Sequence, residues 1–199
     1  VEDVTSNLEK YRFNDASGAA YRFVWNTFCD WYLELLKPVF QGEDEQAKAE
    51  AQAVAAHVLD EIYKLLHPFM PFMTEELWAE TSDSKRDTLL VHAAWPEPGV
   101  VDDAAASEIN WLIELVTAIR SVRSEMNIKP GLTLPLVVVG AAADTQTRFS
   151  THQAAIQRLA RIESIDTADQ APDGAAQIVA GEATICLPLK GVVDFAAEL

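Results

Sequence analysis

Cysteine is nearly missing from this 199-residue chain: Cys29 and Cys186 are its only two. Neither has a partner at CxxC spacing, which argues against a disulfide framework and a cysteine-built zinc site; two buried thiols in a reducing compartment are expected. Long apolar runs are missing too, because Arg, Glu or Pro breaks each stretch before it reaches membrane-spanning length. The opening residues, VEDVTSNLEKYRF, start with acids and hold no apolar segment of the signal-peptide kind. Positive charge is scarce: 15 Lys and Arg face 31 Asp and Glu, for a formal net charge of −16. Such a body repels phosphate as a whole, so nucleic-acid binding requires a local gathering of the few cations. GxxxxGK[ST], GxGxxG and GxSxG are all absent. Asp30 and Glu34 lie one turn apart, as do His57 and Glu61. No His joins Asp30 and Glu34 at ligand spacing, so solvated helix faces are expected for both pairs. His67, ahead of Pro68, is expected to meet the last carbonyls of its helix.

What the chain does have is apolar residues at helical spacing, 49% of the total, enough for one large domain or two small ones. Residues 1–13 read as the end of a helix with no cap at its start, so Val1 is expected to be an excised edge. A second helix opens near the N-cap candidates Asn14 and Asp15 and is expected to stop at Pro38. Tyr21, Val24, Trp25, Phe28, Trp31, Tyr32 and Leu35 form its apolar stripe, and Arg22, Asn26, Asp30 and Glu34 its polar one. A third helix runs from about Gln46 to Leu66, with a stripe from Ala51 through Val54 and Val58 to Leu66. Pro71 suits the first turn of a fourth. A connector over 81–103 leads to a fifth helix from Asp102 to about Asn127, buried through Ile109, Leu112, Ile113, Val116 and Ile119.

Beyond Lys129-Pro130-Gly131 the pattern turns strand-like. LTLPLVVV, 132–139, is expected at a sheet edge or with a bulge, because Pro135 lacks a ladder donor. One helix is expected over 145–161, with Phe149, Ile156 and Leu159 inside. A short strand over 164–167 is followed by a hairpin turning at Gly181-Glu182, with Pro188 marking another edge. The fold class is therefore mainly α: a helical bundle over 1–130, a small α+β module over 131–190, and the start of a helix over 191–199.

Arg120, Arg123 and Asn127 recur at steps of three and four, within roughly 60° of one another around a helix that advances about 100° per residue. Lys10, Arg12 and Arg22 lie on the first two helices. If these ends converge, an anionic protein carries one basic face, where Arg pairs with phosphate or a base edge and aromatics stack on unpaired bases. The opposing expectation pairs each arginine with a nearby acid such as Glu125 and leaves an acidic helical protein-interaction module without RNA binding.

YRFNDASGAAYRFVWNTFCDWYLELLK, LLHPFMPFMTEELW, IRSVRSEMNIKPG and CLPLKGVVDFAAEL occur here in the order found in valyl-tRNA synthetases, class I aminoacyl-tRNA synthetases of protein biosynthesis. The chain resembles their C-terminal anticodon-binding region over nearly its whole length. The HPFMPFMTEELW type is shared by other class I enzymes, whereas FCDWYLE and RxxRxxMNIxPG resemble the valyl family more narrowly. The resemblance implies binding of the anticodon stem-loop of tRNA(Val), with Arg12, Arg120 and Arg123 on phosphates or bases, Asn127 on a base edge, and Trp25 or Phe28 stacking. It implies a cytoplasmic, monomeric parent that joins valine to tRNA with ATP in a catalytic domain this chain lacks, and a coiled coil beginning where the chain stops. No catalytic, cofactor or metal residue is expected here, and the other synthetase domains are expected partners.

Overall fold

The computed structural model describes residues 1–82 and 84–191. They fall into two compact units, one spanning Val1–Val100 and one beginning at Val101. The expected helix over 191–199 lies, past Gly191, outside the described residues.

In the first unit, α1 (Glu2–Glu9) is followed by a continuous helical span: α2 (Phe13–Phe23), a π-helical segment (Val24–Tyr32) and α3 (Leu33–Gln41). Pro38 lies inside α3 rather than ending the helix. It falls in the final turn, where a missing amide and one unmatched carbonyl matter little so close to the terminus. Asn14 and Asp15 do not cap α2. Arg12 holds the cap position, and Asp15 in the first turn pairs with its guanidinium at 2.6 Å. α4 (Glu45–Leu66) starts at Asp44, whose carboxylate accepts the amides of Gln46 and Ala47 at 3.0 Å. Its apolar stripe is buried only near its C-terminal end, at Ile62, Tyr63 and Leu65, and Val54 is half exposed. Pro71 opens α5 (Pro71–Glu80) in its first turn.

Two small cores are formed among the described residues of this unit. Val4, Ala16, Ala20 and Leu65 join α1, α2 and α4, the alanines letting the backbones approach closely. Tyr63, Trp78 and Leu90 join α4, α5 and a short 3₁₀ turn (Leu90–His92). The connector is strapped down here. Arg86 pairs bidentately with Asp60 at 2.9 and 2.6 Å, donates to the Trp78 carbonyl at 3.1 Å, and lies 3.7 Å over the Trp78 ring.

The second unit opens with α6 (Asp103–Glu125), capped by Asp102, whose carboxylate accepts the Ala105 amide at 3.0 Å. β1 (Leu134–Val139), α7 (Ala143–Thr151), α8 (Gln153–Ala160), β2 (Ile162–Ala168), β3 (Ala175–Ala180) and β4 (Ala183–Pro188) follow. The expected single helix is two, divided at His152, whose ring meets Glu108 on α6 at 2.9 Å. Strand order is β2-β1-β4-β3, with β1 parallel to β2 and antiparallel to β4.

β1 is thus an inner strand, which corrects the edge expectation for Pro135. The alternative expectation, a bulge, holds: register with β2 shifts between Leu134 and Leu136, and pairing with β4 begins only at Val137. Pro188 closes an inner strand, β4, opposite Ala175. The hairpin turns at Gly181-Glu182, with Gly181 at φ +64°, the left-handed backbone a two-residue turn needs. Leu112, Val116 and Ile119 of α6 belong to this unit's buried core with Leu136, Val138, Ile156, Ile185 and Leu187.

Candidate nucleic-acid interface

The helical span 13–41 positions the side chains of interest, and its pitch decides which face each occupies. An α-helix repeats every 3.6 residues, and a π turn, bonded i to i+5, is wider. The span therefore keeps residues four apart in line. Ala16, Ala20, Phe28 and Leu36 are buried, with Val24 and Tyr32 half-buried between them on the same row. Phe28 stacks on Tyr32 at 5.5 Å, inside this row.

One residue further round, the row of Tyr21 and Trp25 faces water: Tyr21 is 61% exposed and Trp25 56%. Their rings are nearly parallel, 5° apart in plane, with centroids at 6.3 Å. Arg22 and Asn26 form the next row, also exposed. Arg22 lies back along the helix over Gly18, where an added Cβ would stand 3.2 Å from its Nη1. Among the described residues no carboxylate is paired with Arg22. An aromatic face with an unneutralised guanidinium beside it can stack on bases and contact phosphate.

The six residues indicated by sequence divide equally between the two units. In the first, Trp25 is exposed and Phe28 buried on separate rows. Arg12 is exposed and paired with Asp15, a surface contact worth at most about 1 kcal/mol that phosphate can replace. Tyr11, beside it, takes φ +56° where α1 ends, and the Arg12 amide closes that turn on the Asn7 carbonyl at 2.8 Å.

In the second unit the arginines of α6 serve the backbone. Arg120 Nε donates to the Leu159 carbonyl at 2.9 Å. Arg123, 7% exposed, donates to the carbonyls of Leu132 at 2.6 Å, Lys129 at 3.4 Å and Arg161 at 3.5 Å. Leu159 and Arg161 end α8, so these two side chains donate to carbonyls at the helix terminus, of which that of Arg161 also accepts the Leu134 amide at 3.2 Å. Burial, and then the charge of Arg161, pull the Arg123 guanidinium pKa below its usual value. Asn127 is the left-handed residue that ends α6, at φ +49°. Its amide bonds Ser124 O at 3.1 Å, and the Ile128 amide bonds Arg123 O at 2.9 Å, the paired closure of a Schellman turn. Asp30 is exposed and helix-borne. His67 does not cap a carbonyl: its Nδ1 meets the Thr74 hydroxyl at 2.8 Å.

Sequence periodicity missed Tyr21 as a surface residue. A 3.6-residue repeat joins it to the core stripe, and the one available signal was the step of four in Arg22, Asn26, Asp30 and Glu34. No helix among the described residues is long and apolar enough to cross a membrane, and no group of three or more His, Cys, Asp or Glu among them is placed to hold a metal.

A family model described as the anticodon-binding domain of tRNA ligase matches residues 1–138. The valine–tRNA ligase of Agrobacterium fabrum is 67% identical over 200 residues, covering 100% of this chain and 21% of that protein. The corresponding figures for the Rhizobium meliloti enzyme are 64%, 100% and 21%. For the Rhodopseudomonas palustris enzyme they are 50% over 232 residues, 100% and 24%. The chain thus spans between a fifth and a quarter of the length of these relatives. The motifs along the chain, the helical unit that carries them and these matches agree: the chain belongs to the family of anticodon-binding domains of tRNA ligases.

Proposed function

We propose that this chain holds the anticodon stem-loop of a valine tRNA for a larger synthetase, whose catalytic part, outside this segment, joins valine to the tRNA with ATP. The observation that carries the reading is the exposed Tyr21–Trp25 stack flanked by Arg22 and Asn26. Unpaired loop bases need an aromatic surface to stack on, and a neighbouring amide and guanidinium supply donors that tell base edges apart and hold phosphate. Arg12, at the start of the same helix, extends the cationic side. In this reading Phe28 holds the platform from behind. Arg120, Arg123 and Asn127 shape the end of α6 and the backbone around it. A cytoplasmic, monomeric parent with a C-terminal coiled coil fits the same reading.

The test is titration of a valine anticodon stem-loop into the chain at several salt concentrations. Trp25→Ala is expected to weaken binding by about 1–3 kcal/mol through lost base stacking. Arg22→Ala is expected to weaken it across loop sequences and to flatten the salt slope by about one counterion. Binding indifferent to the anticodon, the salt and both substitutions would instead favour an acidic protein-interaction module, to which the charge of −16 is suited.

A further inference from the structure

The tip of α5 exposes apolar side chains that the anticodon reading does not use. Phe72 is 91% exposed, Met73 61%, Met70 40% and Leu77 38%. Met73 and Leu77 share a face one turn apart, with Phe72 and Met70 beside them. The tip is held in place before anything binds it. Pro68 and Pro71 restrict the backbone, and buried Thr74 donates to the carbonyls of Met70 at 2.9 Å and Pro71 at 3.3 Å. Glu75 turns away, accepting the amides of Leu90 at 2.7 Å and Val91 at 3.4 Å.

We propose that Met70, Phe72, Met73 and Leu77 form the surface on which the catalytic body of the longer synthetase docks. The proposal rests on the reading that this segment belongs to such an enzyme. Apolar faces of this kind mark protein contacts, and a fixed tip loses little entropy on docking. RNA is a poor occupant: PFMTEELWAE holds no Lys or Arg, and Glu76 and Glu80 are exposed beside the apolar residues. A body of sufficient size exists in the relatives, of which more than three quarters lies outside the matched segment.

The test is methionine oxidation footprinting of the full-length polypeptide carrying this segment. The segment's three methionines are Met70, Met73 and Met126, and half-buried Met126 serves as the internal reference. Exposure sets the oxidation rate, so docking is expected to slow Met73 about tenfold or more relative to the unfolded chain, without tRNA present. Phe72→Asp is expected to restore Met73 reactivity. It is expected to lower valine charging while leaving anticodon stem-loop affinity within about twofold, because Phe72 does not touch the Tyr21–Trp25 face. Met73 reactivity within about threefold of the unfolded value would overturn the proposal. So would protection appearing only with tRNA, which assigns the face to RNA, or only with rising protein concentration, which assigns it to a second copy. Stem-loop binding that persists through any of these outcomes leaves the anticodon reading standing. Its loss, with Met73 still protected, overturns the anticodon reading alone.

Discussion

Single residues divide sharply between those a ligand can reach and those the fold consumes. Arg123 is the clearest of the second kind, closing three carbonyls from a buried position. Arg123→Met is expected to destabilise the chain by about 3 kcal/mol, because charged donors are lost and the Leu132 carbonyl loses its 2.6 Å partner. Arg123→Lys, with one ammonium for a planar fork, is expected to rescue little; urea unfolding measures both. Asn127→Ala is expected to cost about 1 kcal/mol and Asn127→Gly almost nothing, since Gly accepts positive φ without strain.

Glu182 supplies a pH test. The Thr145 hydroxyl, its own amide and the Ala142 amide hold its carboxyl below the usual range. A carboxylate depressed in the fold adds stability in full above the unfolded glutamate value, about 4.3, and loses it as pH falls through the folded value. Glu182→Gln is expected to lower the melting temperature at neutral pH, with the difference closing below that range. The residue types at Arg123 and Asn127 were readable in advance as a basic-polar patch. The engagement of the α6 arginines with the carbonyls of Leu159 and Arg161 was not, because these are distant in sequence and meet α6 only in the folded unit.

Among elements, the span from Phe13 to Gln41 matters most, and its pitch separates two aromatic rows. Phe28→Ala is expected to cost about 3 kcal/mol as a core truncation. Trp25→Ala, three residues earlier but exposed, is expected to stay within about 0.5 kcal/mol in the same urea experiment. Equal losses would show that the two rows are not separated as described. Helix existence, the Pro71 start and the Gly181-Glu182 hairpin were legible because each depends on local chemistry. The division at His152 and the inner position of β1 were not, since long-range pairing decides them. The wide π turns carry no local signature that apolar spacing alone reveals.

At the scale of the whole molecule, a charge of −16 opposes RNA while one helix presents an aromatic face and an exposed arginine that no carboxylate among the described residues pairs. The global charge was plain in the sequence. The face was not, because separating Tyr21 and Trp25 from Phe28 depends on helix pitch. The most direct measurement is photochemical crosslinking of a valine anticodon stem-loop to the chain, with the attachment site mapped by mass spectrometry. Crosslinks are expected at Tyr21 or Trp25 and are expected to disappear when the anticodon bases are replaced. Crosslinks confined to the Arg120–Asn127 end of α6, or an equal yield with any loop sequence, would contradict anticodon binding at this face.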